Sequence, residues 1–224
     1  MNNVKNEAKT CDKTSQNKTL RYILGALLPL ILVLGYFFPV LGYFMLICMF
    51  SAIAISFFNG RFWCYWACPR GIFFDEYLNK ISLKKKIPPF FKHIAFRILW
   101  IFILMSMLTF RFIQSNGNLY AMGKALVMIL TVTTIIGVGL GLVYNTRIWC
   151  MFCPAGTMSN WFGRGKNPVK IEGNKCIRCN VCYKKCPMEI NASEYKEIRY
   201  VDNGDCIKCG KCTQTCPKKI LNLK

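Results

Sequence analysis

Apolar positions cluster in long blocks along this chain. From Tyr22 to Phe58 they run almost unbroken, with Pro39 to Gly42 as the one good turn signal inside. A bilayer core takes about 20 helical residues, so this block predicts two spans, 22–38 and 41–58. A second block starts near Ile94, is interrupted by Arg111 and the polar run Ser115-Asn116-Gly117-Asn118, and resumes from Ala125 to Val143. Two further spans follow, so the pattern predicts an α-helical membrane protein of four transmembrane helices arranged as two hairpin repeats.

The polar stretches between and around these blocks differ in kind. Residues 1–20 are rich in Lys, Asn and Thr and carry the lone thiol Cys11; a disordered tail is expected. No A-x-A site follows the first span and another apolar segment begins at once, so an anchor is expected rather than a cleaved signal. Between Ile72 and Lys86, Phe73, Tyr77 and Ile81 recur every four residues, with Asp75 and Glu76 early and Lys84 to Lys86 late. That spacing predicts an amphipathic helix stopped by Pro88 and Pro89, lying on the inner membrane surface or packed on the protein as a linker.

Charge sets the orientation. The 224 residues are 54% hydrophobic yet carry a net charge of +20, so apolar and basic residues are segregated. Of the Lys and Arg, only Arg111 and Lys124 fall in the two loops opposite the tail. The positive-inside rule then places both termini and the central loop in the cytoplasm, with the bacterial inner membrane as the expected location. No Asp, Glu or His lies in the predicted cores, which argues against an autonomous transporter. A single His excludes an internal bis-imidazole haem. Gly137, Gly139 and Gly141 sit inside the fourth span without a preceding strand, so close helix packing is expected there instead of a nucleotide loop. Nothing in the pattern suggests nucleic acid as a partner.

Fourteen cysteines change the picture, because twelve of them stand in C-x2-C or C-x3-C groups. Ligand spacing of this kind suits metal better than disulfides. The segments starting at Ile171 and Val201 repeat one another, giving Cys176-x2-Cys179-x2-Cys182-x3-Cys186-Pro187 and Cys206-x2-Cys209-x2-Cys212-x3-Cys216-Pro217. This is the bacterial dicluster ferredoxin spacing, in which the fourth cysteine serves the other cluster. One [4Fe-4S] cluster is expected on Cys176, Cys179, Cys182 and Cys216, the other on Cys206, Cys209, Cys212 and Cys186. Zinc modules also use C-x2-C pairs, but they rarely show the third cysteine at the same gap plus Cys-Pro. Residues 166–224 are therefore expected to form an α+β ferredoxin-like module after a transmembrane domain over 21–165. Ile177, Val181, Ile190, Ile207 and Ile220 are its expected apolar lining. Its Lys and Arg outnumber its acids, which suits either an offset of cluster charge near an anionic bilayer or an ordinary solvated basic face.

A second duplication lies at the membrane edge. Arg61-Phe62-Trp63-Cys64-Tyr65-Trp66-Ala67-Cys68-Pro69 follows the second span, and Arg147-Ile148-Trp149-Cys150-Met151-Phe152-Cys153-Pro154 follows the fourth. Trp63, Trp66 and Trp149 suit an interfacial belt. Each cysteine pair shares one face of a turn that Pro ends, so Cys64, Cys68, Cys150 and Cys153 together offer a four-thiolate site for an additional metal or cluster. The bland alternative is four small buried residues in an aromatic anchor, the role expected of Cys48.

Four spans, GRFWCYWACPRG, RIWCMFCPAG and a C-terminal dicluster ferredoxin together resemble the NapH/NosR/CcoG family of membrane-bound polyferredoxins, over nearly the whole chain beyond residue 20. The second motif is one residue shorter than the first, and without a flavin-attachment segment or large extracytoplasmic domain the shorter NapH-like arrangement is the better comparison. The resemblance implies electron transfer between the quinone pool or cytoplasmic donors and a membrane-associated redox partner, and in some members a link to copper. The expected role is a one-electron carrier subunit rather than a stand-alone enzyme. A copper-reducing or cofactor-maturation factor using the paired Cys-Pro motifs is the alternative, since thiolates suit Cu(I). A membrane scaffold for a soluble ferredoxin-dependent enzyme is a third.

Overall fold

The computed structural model describes residues 18–223, so the expected tail up to residue 17, with Cys11, lies outside the described residues. Helix α1 (Lys18–Phe37) and helix α2 (Tyr43–Asn59) are joined by a 3-10 turn at Pro39–Gly42. Short helices α3 (Phe62–Trp66) and α4 (Pro69–Glu76) follow, then α5 (Ile94–Gln114) and α6 (Leu119–Val143), then α7 (Ile148–Phe152) and α8 (Pro154–Gly163). Four helices are long and apolar enough to cross a membrane, spanning Thr19–Phe37, Pro39–Asn59, Ile94–Gln114 and Leu119–Val143. The third runs through Arg111 and the fourth begins six residues before Ala125, because the polar run only turns the chain: Asn118 caps α6 by accepting the Tyr120 N–H at 3.0 Å.

The long helix expected over Ile72–Lys86 does not form. Helix α4 stops at Glu76, a 3-10 turn covers Leu78–Lys80, and Ile81 is 67% exposed. The segment also leaves the surface, since Ile72, Phe74 and Leu78 are buried and Arg70 reaches the α6 residues Leu130 and Thr133. Asp75, expected to serve the dipole of a surface helix, is instead 9% exposed and bound to Arg147, a partner 72 residues away that no local period reveals. Helix α4 is thus a re-entrant piece folded back against α1 and α6.

Trp149 is likewise no belt residue. It is 2% exposed, edge-on to Trp100 and Phe152, in the core that also holds Cys64, Tyr65 and Cys150. Gly137 admits Phe74 and Trp149 side chains and Gly141 faces Leu78, so these two glycines serve close packing, whereas Gly139 faces open space.

The C-terminal module is closed by a two-stranded antiparallel sheet, β1 (Lys170–Ile171) with β2 (Leu221–Asn222), registering Lys170 with Asn222 and Ile171 with Leu221. Between them lie helices α9 (Val181–Lys185) and α10 (Lys211–Thr215), packed on each other. The sequence repeat is a backbone repeat too. Left-handed residues recur at equivalent places, Arg178 with Lys208, Asn180 with Gly210 and Glu189 with Lys219. Val169, Ile171, Val201 and Ile220 form its small core. Of the expected apolar lining, Ile177, Val181 and Ile220 line the cavity of the Cys176 set and Ile207 and Ile220 are buried, although Ile177 is also 61% exposed.

Candidate metal centres

The two membrane-edge motifs fold alike despite the missing residue. Each first cysteine, Cys64 or Cys150, sits in a five-residue helix, and each second cysteine, Cys68 or Cys153, is the N-cap of the next helix with Pro69 or Pro154 at its first position. Proline therefore opens a helix here and does more than end a turn, because its fixed φ suits N1 and it needs no hydrogen-bond partner there.

Two buried arginines lock the halves together. Arg61 donates to the Cys150 carbonyl, and Arg147 donates to the Cys64 carbonyl at 2.8 Å. Each also bonds the cysteine sulfur of its own half, Arg61 that of Cys64 and Arg147 that of Cys150 at 3.5 Å. Room for the crossed guanidiniums comes from Gly71 and Gly156. A Cβ at Gly71 would stand 2.6 Å from the Cys64 oxygen, and one at Gly156 would stand 2.7 Å from Arg61 Nη2. The counter-ions differ: Asp75 binds Arg147 in a fork, whereas Asp205 of the C-terminal module binds Arg61 at 2.7 Å.

As a result Cys64, Cys68, Cys150 and Cys153 line one cavity of about 160 Å³, roofed by Trp149 and Arg70 and continuing between α2, α5 and α6. Cys48, expected only to pack, lines it as well. Burial pushes the Cys68 thiol up to about 12, with Cys64 and Cys150 adding to the rise and the Gly71 N–H opposing it. Burial also pushes the Cys64 thiol up, so a bound cation would favour ionisation of Cys64 and Cys68. Arg70 has no carboxylate partner among the described residues; it donates to Thr133 and lies 5.2 Å from the Trp149 ring. The buried Trp149 Nε1 and Arg61 Nε have no hydrogen-bond partner. The donor set thus combines four thiols, two orphaned N–H groups and an unpaired guanidinium, which fits an anionic thiolate-bound cluster. Among the described residues no three His, Cys, Asp or Glu side chains are grouped to hold a single metal ion.

In the C-terminal module Cys176, Cys179, Cys182 and Cys216 line a second cavity of about 30 Å³ with Ile171, Val181 and Ile220. Cys209 and Cys186 both raise the Cys206 and Cys212 thiols, after burial as the main cause, which places the four cysteines close together. Burial pushes Cys206 up to about 11, against the Lys208 N–H aimed at its sulfur. Backbone N–H groups of Ile190 and Met188 bond Cys186, and that of Lys211 bonds Cys209. Such N–H···S contacts suit metal-bound thiolates. The structure thus brings together the three sets named from sequence and adds Arg61, Arg147, Arg70 and Cys48. The shared Arg three residues before the first cysteine and Gly two after Pro were visible signals for the clamp.

The module docks by one pole. Asp205 accepts from Arg61, from both Arg97 Nη atoms at 2.9 and 2.7 Å, and from Asn160 at 2.7 Å. Lys208 donates to the Asn59 carbonyl at 2.7 Å, capping the end of α2. Ile207 joins Cys64, Cys150 and Met188 in the membrane-domain core, so the Cys206 set lies between the membrane-edge tetrad and the Cys176 set.

A 4Fe-4S binding domain matches this chain twice, at residues 41–88 and 125–172, each match covering the second helix of a hairpin and the cysteine motif that follows it. A 4Fe-4S dicluster domain matches residues 168–218. The chain is 26% identical to the uncharacterized protein MJ0749 of Methanocaldococcus jannaschii over 87% of this chain and 80% of that one. It is 25% identical to MJ0750 of the same organism, over 63% of this chain and 65% of the relative. No solved structure matches. The chain is an iron-sulfur protein of ferredoxin type with four apolar helices suited to a multi-pass membrane position.

Proposed function

We propose that this protein is a membrane-bound electron relay with three cysteine sets in series: Cys176/Cys179/Cys182/Cys216 outermost, Cys206/Cys209/Cys212/Cys186 next, and Cys64/Cys68/Cys150/Cys153 at the membrane. Each set holds one [4Fe-4S] cluster, which when bound takes up and returns single electrons. The carrying observation is the crossed Arg61–Cys150 and Arg147–Cys64 clamp, which draws four cysteines from two distant motifs around one cavity. Arg61 then ties this site through Asp205 to the residue beside Cys206, holding the two inner sets in fixed relation. On this reading the protein works as a NapH-like polyferredoxin, with both termini and the iron-sulfur module in the cytoplasm. The apolar cavity that Cys48 also lines, walled by residues of α1, α2, α5 and α6, suits a lipophilic partner of the quinone class.

The copper reading has less support, because two matches to a 4Fe-4S binding domain include the Cys64/Cys68 and Cys150/Cys153 motifs. Anaerobically purified protein is expected to hold about twelve irons on the ligand count, with three sets of EPR signals after reduction. C64S/C150S should lose about four of them and keep the two ferredoxin signals. Copper or zinc at the tetrad without extra iron would overturn the proposal.

A further inference from the structure

The two cysteine loops of the C-terminal module are sequence repeats with the same backbone, yet they meet different surroundings. In one, Cys206-Ile207-Lys208-Cys209, Ile207 is 1% exposed in the membrane-domain core and Lys208 caps the end of α2. In the other, Cys176-Ile177-Arg178-Cys179, Ile177 is 61% exposed, Arg178 is exposed, and Cys179 is the exposed cysteine among those described. The module thus spends one pole on the membrane domain and leaves the equivalent pole open.

We infer that this open pole is the docking surface for a soluble, acidic one-electron carrier protein. The inference rests on the relay proposed above, specifically on a cluster held by Cys176, Cys179, Cys182 and Cys216. Lys218 lines the same cavity as Ile177 and Cys179, Arg178 stands between those two in the loop, and Lys184, Lys185 and Lys219 are exposed on the same module; none of these five has a carboxylate partner among the described residues, while Lys175 is paired with Glu172 at 2.9 Å. A patch of uncompensated cations around an exposed isoleucine matches a partner that offers carboxylates around an apolar contact; such complementarity speeds encounter and fixes register. The docked loop shows the same chemistry on a small scale, with an isoleucine in an apolar core and a lysine on a helix C-terminus. An anionic lipid surface would also attract these cations, but it gives no reason for a cysteine ligand to be exposed among them.

The test uses full-length protein in nanodiscs of neutral lipid, with an acidic 2[4Fe-4S] ferredoxin as probe and a basic cytochrome as control. The ferredoxin is expected to bind, and to weaken at least about tenfold as ionic strength rises through the range where the Debye length falls below about 8 Å. K184E/K185E/K218E should weaken binding by a similar factor, whereas K85E/K86E, on an exposed basic stretch elsewhere, should leave it within about twofold. Equal loss in both variants, equal binding of the basic cytochrome, or a triple variant that loses only binding to anionic-lipid vesicles would overturn the assignment. Iron content and EPR are measured on every sample. Absent ferredoxin signals with salt-dependent, lysine-dependent binding intact would count against the relay and for the surface; normal signals without binding would do the reverse.

Discussion

Arg147 reaches from one half of the duplicated domain to the other, its Nη1 donating to the Cys64 carbonyl at 2.8 Å while its remaining nitrogens hold Asp75. The guanidinium is fully buried and the Asp75 side chain is 6% exposed. Deleting one partner of a buried pair costs about 3–5 kcal/mol when the other is stranded; Arg21, 3.6 Å from Asp75 Oδ2, offsets part of that here. R147A is expected to melt well below the parent protein in detergent and to lose the iron held at Cys64/Cys68/Cys150/Cys153. R147K keeps the charge without the fork and should fall between them. An R147A melting curve superimposable on the parent would leave the clamp with no stabilising role.

The same pair sets an acid limit. Burial, the largest single influence, would raise the Asp75 carboxyl, but Arg147 together with Lys211 and Arg21 outweighs it and holds the group below its ordinary range. Its folded value is therefore lower than its unfolded one. The resulting stabilisation is complete above the ordinary carboxylate pKa of about 3.9 and is lost as pH falls from there through the folded value. Stability above this range should not change on account of Asp75. Chemical denaturation followed by tryptophan fluorescence across that window should show the loss in the parent protein and a flatter curve in D75N.

Much of this architecture was legible because hydrophobic runs and cysteine spacing are local signals. The four spans came from block length, and the three cysteine sets from repeated gaps around Cys-Pro. What escaped was decided by partners distant in sequence. The turn spacing of Phe73, Tyr77 and Ile81 described a surface helix, but the Asp75–Arg147 pair and the packing of Ile72, Phe74 and Leu78 drew the segment inward. Trp149 carried the composition of an interface belt, yet Trp100 and Phe152 enclose it. The two ferredoxin loops are nearly indistinguishable as sequence, so only the fold could separate buried Ile207 from exposed Ile177.

Glycines at the clamp should be far less tolerant than their helical neighbours. G71A places a methyl 2.6 Å from the Cys64 oxygen and 2.8 Å from Arg147 Nη1, and G156A crowds Arg61 and the Cys150 oxygen in the same way. Overpacking of this kind costs about 1–3 kcal/mol. Gly139 has open space at its Cβ position, so G139A should be neutral or mildly stabilising through helix propensity. Parallel thermal melts of the three variants decide the matter, and a G139A as unstable as G71A would contradict the geometry.

Asp205 is the latch between module and membrane domain, since Arg61, Arg97 and Asn160 all donate to its carboxylate. D205A leaves two buried guanidiniums without their shared counter-ion. Its effect should appear at the connection, where Arg164 and Lys166 lie exposed between α8 and β1. Trypsin is expected to cut there faster in D205A than in the parent, while the module keeps its own iron. D205E, which restores the charge on a longer arm, should recover part of the protection. Identical digestion of all three proteins would show that the module is held by Ile207 and Lys208 alone.

The cavity beyond the tetrad offers the last test, because its wall can be altered without touching a cysteine. Leu104 of α5 lines it, whereas the adjacent Ile103 is 46% exposed and does not. An indole at position 104 would occupy much of a space of about 160 Å³, so if the proposed relay delivers electrons to a quinone there, the parent protein should reduce a short-chain quinone analogue and L104W should exclude it. I103W adds the same group outside the cavity and should leave reduction unchanged, as should the EPR signals of both variants. Cys48 provides an independent readout, since it lines the same space. Maleimide labelling of Cys48 should slow when the analogue is bound and in L104W, but not in I103W. If L104W and I103W reduce the analogue equally well, electrons leave the tetrad by another route and the cavity is no more than a gap between lipid-facing helices.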